Sequence, residues 1–369
     1  MLSNSLLIFL CSLVALVITA ILIPYWINVC VKWNLFERTD DRKKHKTNIP
    51  TMGGIAIFAG IVISFLSFQG VLAGHNMNLL VAASILLFFT GFFDDLIDLP
   101  PSSKLIFQFI ASVLVIAAGF RIDNLFGLVG VHTLPLVISW GVTIFFIVAV
   151  TNALNLIDGL DGLAGSLTLM SSLIFGMLFL QAGNFTMAML SMSICGAVFG
   201  FLLFNFHPAR VFMGDTGSLV LGFLLSVQAI ALIQQYSGGQ ADIPTLTPTL
   251  VIAVLFVPMY DVLRVSVIRI LTGYSPFHPD RNHVHHMITG QGFGQRITTV
   301  LITGINLLYV GIAIVFPEMG VNSFFDSLGL SGDVTDEYAE YVMAGTPLRP
   351  ARWQTLRPYS KSLADAFGT

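Results

Sequence analysis

Four polar residues, Asn152, Asn155, Asp158 and Asp161, recur at every third position within a largely apolar part of the chain. Side chains three residues apart are neighbours on a helix, so this spacing predicts a polar stripe along one helical face. Carboxylates beside apolar spans are costly in a membrane, and such residues usually serve binding or catalysis. A water-facing loop of caps and turns is the alternative, although a plain loop gives no reason for the triplet spacing.

The composition indicates that these side chains are positioned by a membrane protein. The 369-residue chain is 55% hydrophobic and 10% charged, whereas soluble domains carry about 25% charged residues. A net charge of −3 gives no indication of a nucleic-acid partner. The three cysteines all lie in apolar runs, where we expect them to pack as small residues and not to form disulfides.

Ten apolar runs predict an all-α, polytopic integral membrane protein with about ten transmembrane helices. They cover residues 6–31, 52–68, 79–93, 105–120, 134–150, 167–180, 185–204, 219–233, 250–268 and 297–316. Several are shorter than the usual span, as expected where protein partly encloses a helix. Residues 1–317 would form this transmembrane domain. Residues 318–369 contain no comparable run and are predicted to be a polar tail of unknown role.

Lysine and arginine are distributed unevenly between the two sides of these runs. Of the 13 such residues before residue 318, only Arg121 falls on the side that the N-terminus shares. Basic residues favour the cytoplasmic side of a membrane. Five loops are therefore predicted to face the cytoplasm, and we number them in chain order: 32–51, 94–104, 151–166, 205–218 and 269–296. The acidic residues gather in the same five loops, which we expect to form a site.

Carboxylates lie close to helix ends in the second and fourth loops. The adjacent acids Asp94 and Asp95 repel each other unless a cation lies between them, and Asp215 occupies a glycine-bracketed turn on the same face. Oxygen ligands of this kind suit Mg²⁺ or Mn²⁺, held with the help of substrate phosphates. For the nearby Asp98, the alternative is a cap or the end of a helix.

The first loop carries a basic run from Arg42 to Lys46, followed by Pro50 and the Gly53-Gly54 pair. Such a run can attract anionic lipid headgroups. The other interpretation is a contact with a substrate phosphate, with the proline and glycines forming a tight entry into the second span.

The fifth loop places Arg281, His283, His285 and His286 within six positions. Zinc is one interpretation of this cluster, but no cysteine is nearby and the other loops offer carboxylates that suit a hard cation. Diphosphate binding or proton transfer is therefore the favoured interpretation.

Taken together, the five loops resemble the polyprenyl-phosphate sugar-1-phosphate transferases, and most of all the bacterial WecA type. The segments that carry the resemblance are Ile49-Pro50 with Gly53-Gly54, Asp94-Asp95, and residues 152–162, 211–218 and 275–286. The resemblance implies that GlcNAc-1-phosphate passes from UDP-GlcNAc to undecaprenyl phosphate with Mg²⁺ or Mn²⁺, releasing UMP. It further implies a first membrane step of O-antigen, common antigen or teichoic acid linkage synthesis, on the cytoplasmic face of the inner membrane. A homodimer is left open.

The resemblance, combined with the chemistry of phosphoryl transfer, assigns roles to individual residues. Asp95 and Asp215 would hold the metal, Asp94 would orient or deprotonate the lipid phosphate, and Asp158 would lie near the pyrophosphate. The predicted catalytic residues are Asp94, Asp95, Asp158 and His283. The predicted substrate-binding residues, including those for uridine and diphosphate, are Lys46, Lys104, Asn152, Asn155, Asp161, Phe212, Arg281, His285 and His286.

Two other functions compete with this interpretation. The same reaction could use another UDP-N-acetyl sugar or UDP-MurNAc-pentapeptide, although that last branch typically has three adjacent histidines where this chain has His-Val-His-His. A transporter would place ionisable groups at the middle of broken or repeated helices. Only Asp261 and Arg264 fall inside a predicted span, and the sequence shows no internal repeat.

Overall fold

The computed structural model describes residues 3–33, 49–69, 77–128, 130–237, 248–271, 283–317 and 319–323. In these ranges the protein is a helical bundle with one short antiparallel hairpin, β1 (Asn124–Leu128) and β2 (Val131–Thr133). The helices are α1 (Asn4–Trp33), α2 (Gly54–Gln69), α3 (Met77–Ile97), α4 (Pro101–Ala117), α5 (Leu136–Ile157), α6 (Leu163–Gln181), α7 (Phe185–Asn205), α8 (Gly214–Ser237), α9 (Pro248–Val254), α10 (Phe256–Leu271), α11 (Val284–Gly290) and α12 (Gln295–Val315).

Seven of the described helices are long and apolar enough to cross a membrane, namely α1, α3, α5, α6, α7, α8 and α12. The bent pair α9 and α10 makes an eighth if it is one span, and α2 and α4 are shorter apolar helices. The predicted all-α, polytopic architecture is confirmed. The count of ten spans stays a prediction, as do the limits of the membrane domain and the role of the tail, of which only residues 319–323 are described.

Helix α8 is the centre of the bundle. All of its residues from Thr216 to Ile233 are buried, and α3 and α5 pack along it. A helix that is apolar on every side needs such an enclosed position. Its N-terminal end, which carries Asp215, is therefore fixed by packing on several sides.

The polar stripe predicted along one helix is only half helical. Asn152 and Asn155 lie on α5, which ends at Ile157, and residues 158–162 form a turn before α6. The backbone of Asp158 is no longer helical, with φ −75° and ψ 37°. The stripe is therefore wrong for Asp158 and Asp161, because Asp and Gly favour turns where their side chains or backbone freedom replace helical hydrogen bonds. Similarly, Asp94 and Asp95 lie in the last turn of α3 and not in a loop.

The predicted span 250–268 is interrupted, since α9 and α10 meet at an angle of 73°. Asn306 of α12 lies at the break, where its Nδ2 donates to the carbonyl of Val254 at 3.0 Å. Its Oδ1 accepts from the amide of Val257 at 2.9 Å. Backbone groups released inside a membrane need such partners, so one side chain stabilises the bend.

We expect Asn306→Leu to destabilise the fold, because it leaves two buried backbone groups without hydrogen bonds. The free energy of unfolding should fall by about 2–4 kcal/mol, and the midpoint of thermal unfolding in detergent should fall with it. Leu308→Ile is the matched control on the same helix, since Leu308 is 61% exposed and faces outward. Equal midpoints for the two variants would show that Asn306 does not stabilise the break.

Candidate active site

Four side chains from four helix ends meet in one cluster, which we call the central cluster: Asp94, Lys104, Asn155 and Asp215. The Nζ of Lys104 lies 2.5 Å from Oδ2 of Asp94 and 2.7 Å from Oδ2 of Asp215. The Nδ2 of Asn155 donates to Oδ1 of Asp215 and to the hydroxyl of Ser218, both at 2.8 Å. The second, third and fourth loops therefore converge, as the distribution of charge predicted.

The carboxylate of Asp95 accepts hydrogen bonds from the N-terminus of α8. Its Oδ1 accepts from the amide of Asp215 at 2.8 Å, and its Oδ2 accepts from the amide and hydroxyl of Thr216 at 3.0 and 2.5 Å. The first amides of a helix lack partners within the helix and are stabilised by an acidic acceptor. Both oxygens of Asp95 are thus engaged by backbone and hydroxyl donors that position Asp215.

The two carboxylates that share a cation are therefore Asp94 and Asp215. The predicted metal pair was Asp95 and Asp215, and that assignment stays a prediction. The cation between Asp94 and Asp215 is the Lys104 ammonium. Among the described residues, no group of three or more His, Cys, Asp or Glu is arranged to hold a metal ion. A divalent ion at this position would take few ligands from protein, a pattern that suits Mg²⁺ bound to substrate phosphates.

Gly91, which the sequence analysis did not select, allows α3 to approach α8. A side chain at this position would overlap the backbone carbonyl of Asp215. Gly91 lies on the buried face of α3, one turn before Asp94. The sequence did indicate this role, because Gly91 stands among large apolar residues three positions before Asp94. A glycine at such a position often marks the close approach of two backbones.

Asn152 pairs with Gln108, a buried residue that the sequence analysis missed. The Nδ2 of Asn152 donates to Oε1 of Gln108 at 2.7 Å, and the Gln108 amide donates back at 3.3 Å. Gln108 follows Lys104 by one turn of α4, and Asn152 precedes Asn155 by one turn of α5. The amide pair therefore fixes the two helices that present Lys104 and Asn155 to the central cluster.

Asp161 connects the third loop to the fourth. Its Oδ2 lies 2.7 Å from Nδ1 of His207 and accepts from the amide of Ala209 at 3.0 Å. The backbone carbonyl of Asp161 also accepts from the hydroxyl of Thr299 on α12, at 3.0 Å. The carboxylate thus positions the fourth loop, and its predicted contact with uridine stays a prediction.

Phe212 lies in a backbone ladder that joins the first and fourth loops. Its amide donates to the carbonyl of Pro50, and its carbonyl accepts from the amide of Gly53, both at 2.8 Å. The amide of Gly54 donates to Met213 at 2.9 Å. The Pro50–Gly54 segment therefore positions the turn that leads into Asp215. Phe212 is half-buried and precedes Asp215 by three residues.

The described part of the fifth loop packs against α10 and the third loop. The Nδ1 of His283 lies 2.9 Å from Oδ2 of Asp261. The His285 ring is buried against Gly159, where any side chain would collide with it. The rings of His285 and His286 lie 4.3 Å apart between centroids. Lys46 and Arg281, both predicted to bind substrate, lie outside the described residues.

Burial of the imidazole, helped by the nearby His286, lowers the pKa of His285 to about 4. Burial therefore favours the neutral imidazole near neutral pH, and the predicted contact of His285 with substrate stays a prediction. Its Nδ1 is buried without a hydrogen-bond partner among the described residues. The ring nitrogen that lies nearest the turn at Gly159 is the other one, Nε2.

Comparison with known proteins matches the part of the chain that carries this site. The family described as glycosyl transferase family 4 matches residues 77–233, which include α3 to α7, most of α8 and the whole central cluster. The probable undecaprenyl-phosphate N-acetylglucosaminyl 1-phosphate transferase of Bacillus subtilis is 31% identical over 306 residues, which are 82% of this chain and 83% of that protein.

Two further relatives extend the comparison. The undecaprenyl-phosphate alpha-N-acetylglucosaminyl 1-phosphate transferase of Yersinia pestis is 32% identical, over 74% of this chain and 75% of its own length. The decaprenyl-phosphate N-acetylglucosaminephosphotransferase of Mycobacterium tuberculosis is 35% identical, over 74% and 72%. Matches of this extent show that the chain belongs to glycosyl transferase family 4, and within it to the polyprenyl-phosphate N-acetylglucosamine-1-phosphate transferases.

Proposed function

We propose that the protein transfers GlcNAc-1-phosphate from UDP-GlcNAc to undecaprenyl phosphate, giving undecaprenyl-diphospho-GlcNAc and UMP. The observation that carries this proposal is the central cluster, in which Lys104 joins Asp94 and Asp215 at the ends of apolar helices. At such a place a lipid phosphate at the membrane surface can meet a nucleotide from solution. The names of the relatives describe the same donor group and the same class of lipid acceptor.

The reaction joins two anions. An oxygen of the lipid phosphate forms a bond to the phosphorus that carries the sugar, and the bond from that phosphorus to the bridging oxygen of UMP breaks. A phosphate monoester is mostly doubly ionised near neutral pH, so the nucleophile needs orientation and charge neutralisation more than a strong base. We assign Lys104 to hold phosphate oxygens and Asp94 to orient the lipid phosphate or take its remaining proton.

The residues of the cluster fit Mg²⁺ or Mn²⁺. The Oδ2 atoms of Asp94 and Asp215 already converge on one cation, and carboxylate oxygens are the ligands that these hard metals prefer. When bound, the metal would neutralise the pyrophosphate and stabilise the departing UMP. Asn155 would keep the Asp215 carboxylate oriented, and Asp95 would keep the start of α8 in place.

We further propose that this site faces the cytoplasm, at the inner membrane of a bacterial cell. The support is the concentration of lysine and arginine in the five numbered loops. UDP-sugars are cytoplasmic, so the same side is required by the donor. The product would begin the synthesis of a cell-envelope polysaccharide, with O-antigen, common antigen and teichoic acid linkage as the candidate pathways.

The experiment that tests this function uses the purified protein in nanodiscs with undecaprenyl phosphate and Mg²⁺. Radiolabelled UDP-GlcNAc, UDP-GalNAc and UDP-MurNAc-pentapeptide are compared, and both the labelled lipid and released UMP are measured. We expect lipid-linked product from UDP-GlcNAc, with UMP in equal amount. Product from another donor alone would reject the GlcNAc specificity, and the absence of product from every donor would reject the transferase function.

A further inference from the structure

Asp261 and His283 form a buried pair that joins α10 to the start of α11. Asp261 is 2% exposed and His283 is 5% exposed. One carboxylate oxygen, Oδ2, lies 2.9 Å from Nδ1 of His283, and the other, Oδ1, accepts from the amide of Val284 at 2.8 Å. Each oxygen thus has its own donor, and the ring and the adjoining backbone are both fixed by one acid.

This arrangement determines which nitrogen of His283 carries the hydrogen. A carboxylate accepts hydrogen bonds and cannot donate them when ionised, so the contact at Nδ1 requires the Nδ1–H form of the ring. The second ring nitrogen, Nε2, is then left to act on another group. If Nε2 is also protonated, the Asp261 carboxylate balances the charge of the imidazolium inside a buried environment.

We propose that Asp261 is a positioning residue for the reaction: it holds His283 with Nδ1–H toward α10 and presents Nε2 to the diphosphate of the substrate. The proposal rests on the proposed function, because it needs a diphosphate at the fifth loop. Anchoring the amide of Val284 requires one oxygen of Asp261. The second oxygen is committed to the imidazole, and an anchor for the backbone alone would not need it.

Asp261→Asn separates these two tasks. The amide oxygen can still accept from Val284, whereas its NH₂ group would donate to Nδ1 of His283 and move the ring hydrogen to Nε2. We expect kcat for transfer to fall about 100-fold, within the range for loss of a correctly oriented acid or base, with KM for UDP-GlcNAc little changed. The monodispersity and thermal midpoint of the variant should match those of the unaltered protein.

A double-substitution cycle distinguishes positioning from general stabilisation. The unaltered protein, Asp261→Asn, His283→Gln and the double variant are compared in the transfer assay. If Asp261 acts through His283, Asp261→Asn should cause no further loss when His283 is already Gln. Equal fold-losses in both backgrounds would overturn the proposal. A fully active His283→Gln variant would also overturn it, while leaving the transferase function intact.

A spectroscopic measurement tests the geometry even if transfer activity is absent. The protein is labelled with ¹⁵N-histidine in nanodiscs, and the His283 signals are identified by their loss in His283→Gln. We expect a hydrogen on Nδ1 in the unaltered protein and a neutral Nε2–H ring in Asp261→Asn. A neutral His283 that carries its hydrogen on Nε2 in the unaltered protein would reject the pair as described.

Discussion

Replacing Asp215 with Asn is expected to lower kcat for sugar-phosphate transfer by about 1,000-fold or more while the protein remains folded. The amide keeps nearly the same shape and can still contact Asn155, but it removes the negative charge that faces Lys104. It also removes one of the two carboxylate oxygens proposed to hold the metal. The measurement is steady-state transfer in nanodiscs with saturating Mg²⁺, together with the midpoint of thermal unfolding.

Asp98→Asn is the matched control for that substitution. It makes the same change of charge, four residues after Asp94, at a position with φ +52° that Asn tolerates as well as Asp does. We expect Asp98→Asn to keep nearly full activity. If Asp215→Asn retained the activity of this control, the central cluster would not be the place where the phosphates react.

The helices of the fold could be predicted from composition and apolar runs, because a bilayer imposes the length and polarity of each span. The break between α9 and α10 could not be predicted in this way. Residues 250–268 form one apolar run around Asp261, Arg264 and Ser266. Pro258 is the local signal for a break, because it has no amide hydrogen to donate to the carbonyl of Val254, but the run itself does not show it. The partner that stabilises the break is Asn306, on a helix that follows much later in the chain.

The convergence of the loops was predictable for a similar reason. Alternation of spans places every second loop on one side, and the basic residues identify that side. The structure brings Asp94, Lys104, Asn155 and Asp215 together as this pattern requires.

The different contacts of Asp94 and Asp95 could not be predicted from the sequence. Two adjacent acids on a helix point in different directions, and only the position of α8 decides which of them meets Lys104. Asp95 lies against the first amides of α8 and Asp94 does not. The role of Asp261 was missed for the same reason, since Asp261 lies on α10 and its partner His283 belongs to the fifth loop.

Replacing Lys104 with Met is expected to increase the affinity of the protein for Mn²⁺ by about tenfold, equivalent to about 1.4 kcal/mol. The ammonium of Lys104 lies between the two carboxylates that are proposed to hold the metal. In the unaltered protein, a divalent ion must therefore displace the ammonium and overcome the repulsion from its positive charge, whereas in Lys104→Met it meets neither obstacle. Transfer should nevertheless fall, because Met cannot hold a substrate phosphate. The measurement is the concentration of free Mn²⁺ by electron paramagnetic resonance, in titrations without substrate.

Ser103→Ala provides the control for this titration, since Ser103 precedes Lys104 on α4. In the described part of the chain, the carboxylates of Asp94 and Asp215 contact Lys104 and not Ser103. Its affinity for Mn²⁺ should equal that of the unaltered protein. In Asp215→Asn the same titration should show weaker binding, because one of the converging carboxylates is lost. If Lys104→Met bound Mn²⁺ more weakly than the unaltered protein, Lys104 would be supporting the metal site and not occupying its position. That result would move the metal away from the point where Asp94 and Asp215 converge.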